Sequence, residues 1–220
     1  MIPSFSIERT QELLYEIDIM LRDFKTTIPM YLDSPMAIRA TEVYRHFKTY
    51  HRFDTPILSE SDRDFFSFPN LHETLRVDES KAINDVPSPK VIIAGSGMMS
   101  GGRIMHHLIR YLPDPNSLLL IIGYQAAGTL GRRIMSEAKE VTIYGKKVQV
   151  NARLAKIGSF SAHGDMNKLT KWLRPESGIV PKKIFLVHGD PEVKELFAAH
   201  LRGVLSTEII VPEFQSSHEV

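Results

Sequence analysis

The sequence predicts a mixed α/β protein whose sheet is mostly parallel and carries helices on both faces. Three observations point there. Apolar runs at residues 30–32, 91–94 and 118–122 have the length of buried strands, helical periodicity fills the intervals around them, and glycine-bearing turns follow two of the runs, at 95–102 and 123–131. Apolar strands that alternate with helices pair in parallel, because a crossover helix returns the chain to the same end of the sheet.

Taken in order, Ile2–Ser6 reads as the end of a strand, so the chain opens mid-element and looks cut from longer polypeptide. Leu13, Leu14, Ile17, Met20, Leu21 and Phe24 recur at intervals of three and four, which makes Arg9–Phe24 an amphipathic helix. Pro29 forces an extended restart into the strand Met30–Leu32. Asp33-Ser34-Pro35 then starts a helix to about Phe47, with Ser34 as cap and Pro35 at the first helical position, where its missing N–H is not needed. Residues 48–89 hold Pro56, Pro69, Pro87 and Pro89 and lose periodicity. They read as an irregular or short-helical excursion that Phe65, Phe66 and Phe68 pin to the body. Alternation returns with the strand Val91–Ala94, a turn to Gly102, the helix Arg103–Tyr111, the strand Leu118–Ile122, a turn to Gly131 and a helix through about Ala138. Val141–Tyr144 and Lys147–Val150 flank Gly145-Lys146 as a hairpin whose second strand runs on to about Ile157. The helix Asp165–Leu173, the strand Lys183–Val187, the helix Pro191–Leu201 and the strand Glu208–Val211 complete the chain. A domain boundary is placed near residue 127, dividing 1–127 from 128–220.

Composition narrows the class. Of the 220 residues, 43% are hydrophobic and 24% charged, which is the texture of a folded globular protein. Net charge is only +1, so contact with an acidic polymer needs local basic surface, for which Arg132-Arg133, Lys146-Lys147, Lys182-Lys183 and the Arg103–Arg110 stretch are candidates. With no cysteine, disulfides, thiolate metal sites and cysteine nucleophiles are excluded, in keeping with a reducing compartment such as the cytoplasm. No apolar run approaches the ~18 residues of a membrane span, and the amino end does not read as a signal peptide.

Two strings, GSFSAHGD around His163 and FLVHGD around His188, each follow an apolar run and deliver a histidine where a strand ends. A metal-competent, titratable side chain at a sheet rim, followed by a glycine that lets the backbone turn, is a site pattern. His163 suits a general acid or a phosphate-binding group. Ser159 and Ser161 put hydroxyls beside it, but no G-x-S-x-G elbow supports a serine hydrolase. Asp165 reads as the cap of the next helix. His188 suits a zinc ligand, with Asp190 either orienting a neighbour or starting its own helix. A catalytic zinc normally takes three protein ligands, and the chain has neither H-x-H-x-D-H nor H-E-x-x-H, so the other ligands must lie on polypeptide not present here.

GSGMMSGGR (95–103) lies between a strand and a helix, the setting in which backbone N–H groups hold phosphate. Its glycines at 95, 97 and 101 miss the dinucleotide fingerprint by one residue. GYQAAGTLGRR (123–133) brings a second such turn with a basic pair, so the two together read as a track for a polyanion. Tyr124 either stacks on a base or packs.

IPSFSIERTQELLYEI, YLDSPMAIRATEVY, GSGMMSGGR, GYQAAGTLGRRIM, SFSAHGD and FLVHGD, in this order, resemble the carboxyl-terminal portion of the β-CASP metallo-β-lactamase ribonucleases. The resemblance implies a zinc-dependent nuclease with a β-CASP domain inserted in a metallo-β-lactamase domain, RNA held between them, and two zinc ions in the complete enzyme serving an in-line displacement. It places the family's second β-CASP histidine, near the scissile phosphate, at His163, and its third, which completes the metal site, at His188. It further implies phosphate or RNA contacts at Ser34, Ser96, Gly97, Arg103 and Ser161. Residues 1–127 would be the β-CASP domain, with 1–7 the end of a preceding metallo-β-lactamase strand, and 128–220 the returning part of the metallo-β-lactamase layer. Family members usually carry a small residue, often glycine, where this chain has Glu8.

The expected activity is therefore hydrolysis of RNA phosphodiester bonds in processing or decay, by an enzyme of which this chain alone is an inactive part that does not bind zinc tightly. The expected partners are RNA and the amino-terminal metallo-β-lactamase segment, without a membrane, and homodimerisation is left open. Two alternatives stand: a non-catalytic RNA-binding or scaffold subunit, and a nucleotide-binding protein using Gly95–Gly102.

Overall fold

The computed structural model describes residues 1–24, 28–47, 50, 66–158, 163–174 and 181–219. The expectations for Pro56, Phe65, Ser159 and Ser161 lie outside these residues. The elements, in chain order, are β1 (Ile2–Pro3), α1 (Arg9–Asp23), β2 (Met30–Asp33), α2 (Pro35–His46), β3 (Leu71–Glu73), α3 (Val77–Ala82), β4 (Val91–Ala94), α4 (Ile104–Tyr111), β5 (Leu118–Ile121), α5 (Leu130–Met135), β6 (Glu140–Ile143), β7 (Lys146–Gln149), β8 (Arg153–Lys156), α6 (Met166–Trp172), β9 (Lys183–Phe185), α7 (Pro191–Val204) and β10 (Glu208–Ile210). They fall into two compact units, residues 1–161 and 162–220.

In the first unit, β1, β4, β2 and β3 pair in parallel in that order. Met1 extends the sheet: its amine donates to Leu118 O at 2.7 Å and its carbonyl accepts from Leu120 N at 2.9 Å, bringing in β5 and, parallel to it, β8. Side-chain alternation then divides the core. Met30, Leu32 and Ile93 face Leu13 and Leu14 of α1 and Ala37 and Ile38 of α2, whereas Ile92, Ala94, Leu119 and Ile121 face Ile104 and Leu108 of α4. A single crossover hand requires this, since connections that run in opposite directions along a parallel sheet lie on opposite faces. Helices cover both faces, as the sequence predicts.

Local chemistry explains the element ends. Ser34 Oγ accepts from Ala37 N at 3.4 Å with Pro35 in the first turn of α2, so the cap and the helix start coincide with expectation. Phe66 and Phe68 are buried against the α1–α2 face, and Arg45 on α2 donates to Phe66 O at 2.9 Å and Glu73 Oε1 at 3.0 Å. The aromatics thus hold the 66–73 segment to the body. That segment also contains β3, which the sequence reading leaves irregular: three residues between Asn70 and Thr74 carry no periodicity and become a strand only by pairing with β2.

Two details differ from expectation further on. The hairpin turns at Tyr144-Gly145, one residue earlier, because both are left-handed (φ 49° and 76°) as a two-residue hairpin turn demands. The strand β7 stops at Gln149, and β8 is a separate parallel strand on β5, so the chain changes partners where an unbroken strand is expected. In the second unit β9 and β10 pair in parallel, and Ile184, Ala198, Leu201 and Ile209 form its core beneath α7.

Glu8 is a strained point of the fold. Its backbone lies at φ 68°, ψ −62°, and Arg9 N donates to Ile7 O at 2.9 Å, which makes a three-residue γ-turn of the strained sign just before α1. A glycine removes the Cβ conflict, worth about 1–2 kcal/mol, against about 0.5–1 kcal/mol of extra unfolded-state entropy. Glu8→Gly is therefore expected to raise the thermal midpoint by roughly 2 °C in a calorimetric scan, a gain of about 1 kcal/mol or less; an unchanged or lower midpoint contradicts the strain.

Candidate functional site

The carboxyl ends of β1, β2, β4 and β5 place four short segments along one rim: Ser4-Phe5-Ser6, Asp33-Ser34, Gly95-Ser96-Gly97 and Gly123-Tyr124-Gln125. Open α/β sheets bind ligands at such edges. At its centre is Asp33, which is fully buried. Its Oδ1 accepts from Thr74 Oγ1 and Arg103 Nη1, and its Oδ2 from Ser80 Oγ, each at 2.7 Å. His107 Nε2 stands 2.7 Å from Oδ2 and, facing an ionised carboxylate, is the donor. Burial, the largest single influence, pushes this carboxyl upward. The hydrogen bonds from His107, Ser80, Thr74 and Arg103 together outweigh it and lower the pKa from 3.8 to about 2.

Arg103 completes this cluster. Nη1 also donates to Thr74 O at 2.7 Å and Nη2 to Leu75 O at 2.8 Å, so the fork spans the end of β2 and the chain after β3. Of the residues expected to contact phosphate, Arg103 therefore faces inward onto Asp33, Ser34 and Gly97 are buried, and Ser96 is half-buried. Ser161 lies outside the described residues. Ser34 Oγ sits 3.3 Å from Ser6 Oγ, a pair against which a Cβ on Gly95 would stand at 3.2 and 3.5 Å.

The turn 95–102 closes mostly on itself. Ser96 N donates to Gly101 O, Met99 N to Ser96 O, Ser100 N to Ser96 Oγ, and Ile104 N to Gly95 O. These N–H groups point into the turn. Gly102 needs to be glycine twice over, with φ 75° and a Cβ that would stand 2.5 Å from Gly95 O. Gln125 ties the turn to its neighbour: buried, it donates Nε2 to Gly97 O at 2.9 Å and Gly123 O at 3.2 Å.

In the second unit His163 precedes α6 and His188 follows β9, and both are exposed. Asp165 caps α6, its Oδ1 accepting from Lys168 N at 2.8 Å. Asp190 stands at the cap position of α7, ahead of Pro191, with no side-chain cap bond. His188 is left-handed at φ 64° and Gly189 follows at φ 117°. Among the described residues no three histidine, aspartate or glutamate side chains converge to hold a metal ion. His188 is a single donor, and one imidazole does not make a zinc centre.

Sequence reasoning missed Asp33, Thr74, Ser80 and His107. Asp33 reads as part of a helix-start signal and His107 as helix interior. The partners of Asp33 lie 41, 47, 70 and 74 residues away, and only pairing in space reveals them.

The sequence profile of the β-CASP domain matches residues 10–134, and that of a Zn-dependent metallo-hydrolase RNA specificity domain matches 147–212. The chain belongs to the β-CASP family. It is 36% identical over 214 residues to the protein named Ribonuclease TTHA0252 of Thermus thermophilus, covering 97% of this chain and 48% of that one. In Methanocaldococcus jannaschii it is 33% identical over 212 residues to an RNase J-like protein (96% and 48% covered) and 31% identical over 227 residues to the transcription termination factor FttA (96% and 34%). The chain thus spans about half or less of the length of these relatives. No helix among the described residues is long and apolar enough to cross a membrane.

The Asp33 cluster has a defined pH signature. A carboxyl lowered in the folded state adds stability that is fully present above its unfolded pKa of 3.8 and is lost as pH falls through about 2. From that shift the contribution is about 2 kcal/mol. Asp33→Asn, which leaves the Arg103 charge without its partner, is expected to cost on the order of 3–5 kcal/mol at neutral pH. In urea denaturation the gap between the two proteins should narrow as pH is lowered from 4 toward 2; a gap independent of pH contradicts the assignment.

Proposed function

We propose that the chain is the β-CASP domain and the returning carboxyl-terminal segment of a zinc-dependent ribonuclease of the cytoplasm, with the division near residue 127. The observation that carries this is His188. It occupies left-handed backbone that a glycine would adopt more comfortably, three residues after β9, with its ring exposed. The ring contributes nothing to the core of its unit, and the RNA specificity profile spans this position.

In this reading His188 supplies one ligand of a two-zinc centre, and amino-terminal polypeptide carrying H-x-H-x-D-H supplies most of the others. Zinc contributes a nucleophile at neutral pH and charge stabilisation of the displaced oxygen. His163 gives a proton to the departing oxygen or holds a phosphate oxygen. Asp190 orients groups around His188. The Ser96 hydroxyl, which accepts from Ser100 N and keeps its own proton to donate, meets the RNA backbone together with Ser161. Ser34 and Gly97 shape that surface, and Arg103, bound to Asp33, cancels the buried carboxylate beneath it. The nucleotide-binding reading has less support, because the N–H groups of Ser96, Met99 and Ser100 are engaged within their own turn.

Two measurements test the proposal. The isolated chain is expected to hold no stoichiometric tight zinc and to leave a labelled RNA uncut; metal-dependent cleavage that disappears in His188→Ala would overturn it. In the protein completed by the amino-terminal segment, His163→Ala and His188→Ala should each slow cleavage about a hundredfold or more, with metal content falling only in the His188 variant. A completed protein that binds RNA without cutting it is a scaffold, and the ribonuclease reading fails.

A further inference from the structure

The rim exposes two aromatic side chains that are built into it yet not buried by it. Phe5, after β1, is 42% exposed and Tyr124, after β5, 56%. A Cβ on Gly97 would stand 2.6 Å from Phe5 Cδ2, and one on Gly123 3.9 Å from Phe5 Cε2, so the ring lies across both glycine turns. Gln125 binds a carbonyl of each turn and fixes their separation. Beside Gly123, the Tyr124 ring carries the Arg132 guanidinium 5.6 Å from its centroid, with Nη2 3.4 Å from the hydroxyl. Rings whose support is this specific ordinarily gain their stability by burial, and these keep about half of their surface in water.

We propose that Phe5 and Tyr124 form a stacking ledge for unpaired nucleobases of RNA, which deepens the ribonuclease reading and rests on it. Three features of the rim favour a nucleobase over a protein side chain. Phe5 lies over Gly97, next in the chain to the half-buried Ser96, whose hydroxyl accepts from Ser100 N and can donate to ribose or phosphate. Arg132 supplies a cation against the Tyr124 ring, where a guanidinium also serves a passing phosphate. The one carboxylate at the centre of this rim, Asp33, is buried and offset by Arg103, so it does not repel a polyanion. Stacking reads the π-face that every base has, so the ledge holds RNA without choosing sequence.

The test compares two oligomers of equal length, an unstructured RNA and its abasic counterpart, in fluorescence anisotropy with the full chain at low salt. Phe5→Leu and Tyr124→Leu should each weaken the base-bearing oligomer about tenfold and leave the abasic one unchanged, with Tyr124→Phe within about twofold of wild type. Tyr124→Trp in a Trp172→Phe background gives a direct signal: its emission should be quenched by the base-bearing oligomer and not by the abasic one. The proposal is overturned if the leucine variants bind the base-bearing oligomer as wild type does, or lose both oligomers equally. The ledge alone falls when wild type binds RNA and the variants match it. If wild type binds neither oligomer, the RNA reading falls with it.

Discussion

One buried carboxylate organises the rim. Asp33 stands at the end of β2 and receives donors from Thr74 just past β3, from Ser80 on α3, and from Arg103 and His107 at the start of α4. An isolated carboxylate at full burial is unaffordable for a domain whose net stability is about 5–15 kcal/mol. Four donors reverse that sign, and the reversal has a geometric consequence. Any displacement of α3, α4 or the end of β3 leaves a charge without its partner, so the cluster makes their positions interdependent.

The glycine turn inherits its place from this constraint. Residues 95–102 run between β4, which is locked between β1 and β2, and Arg103, which is locked onto Asp33. With both ends held, the turn closes on its own N–H groups and admits only glycine at 102. Gln125 carries the order one strand further, from Gly97 to Gly123, and so to the Tyr124 ring. The chain of cause is physical and local at each link: charge satisfaction fixes helices, helices fix turns, and turns set aromatic rings.

What the sequence revealed follows the range of the interaction responsible. The start of α2 is legible because its cap and its proline lie within four residues of each other. The strand β4 is legible because four apolar residues buried on both faces leave a continuous run. The strand β3 is not, since Leu71, His72 and Glu73 gain strand character only from the ladder with Met30–Leu32. The turn at Tyr144-Gly145 is legible only to within one residue, because a tyrosine at positive φ has no sequence signature. Of the candidate site residues, His163 and His188 stand out in the sequence through the glycine after each. Asp33, His107 and Gln125 do not, because a buried polar residue looks like an exposed one until its partners are known.

Among the described residues six non-glycine residues have positive φ, and two of them, Glu8 and His188, sit at the entry to a helix-bearing segment. Glu8 closes a γ-turn before α1 with its side chain exposed, and the turn alone accounts for its backbone. His188 has the same sign of φ three residues after β9 and is likewise exposed, and it is followed by Gly189 at φ 117°. The two positive-φ residues together turn the chain ahead of Pro191 and leave the ring in solvent. The turn is flanked by β9 and α7, which share a core with β10 at Ile184, Ala198, Leu201 and Ile209.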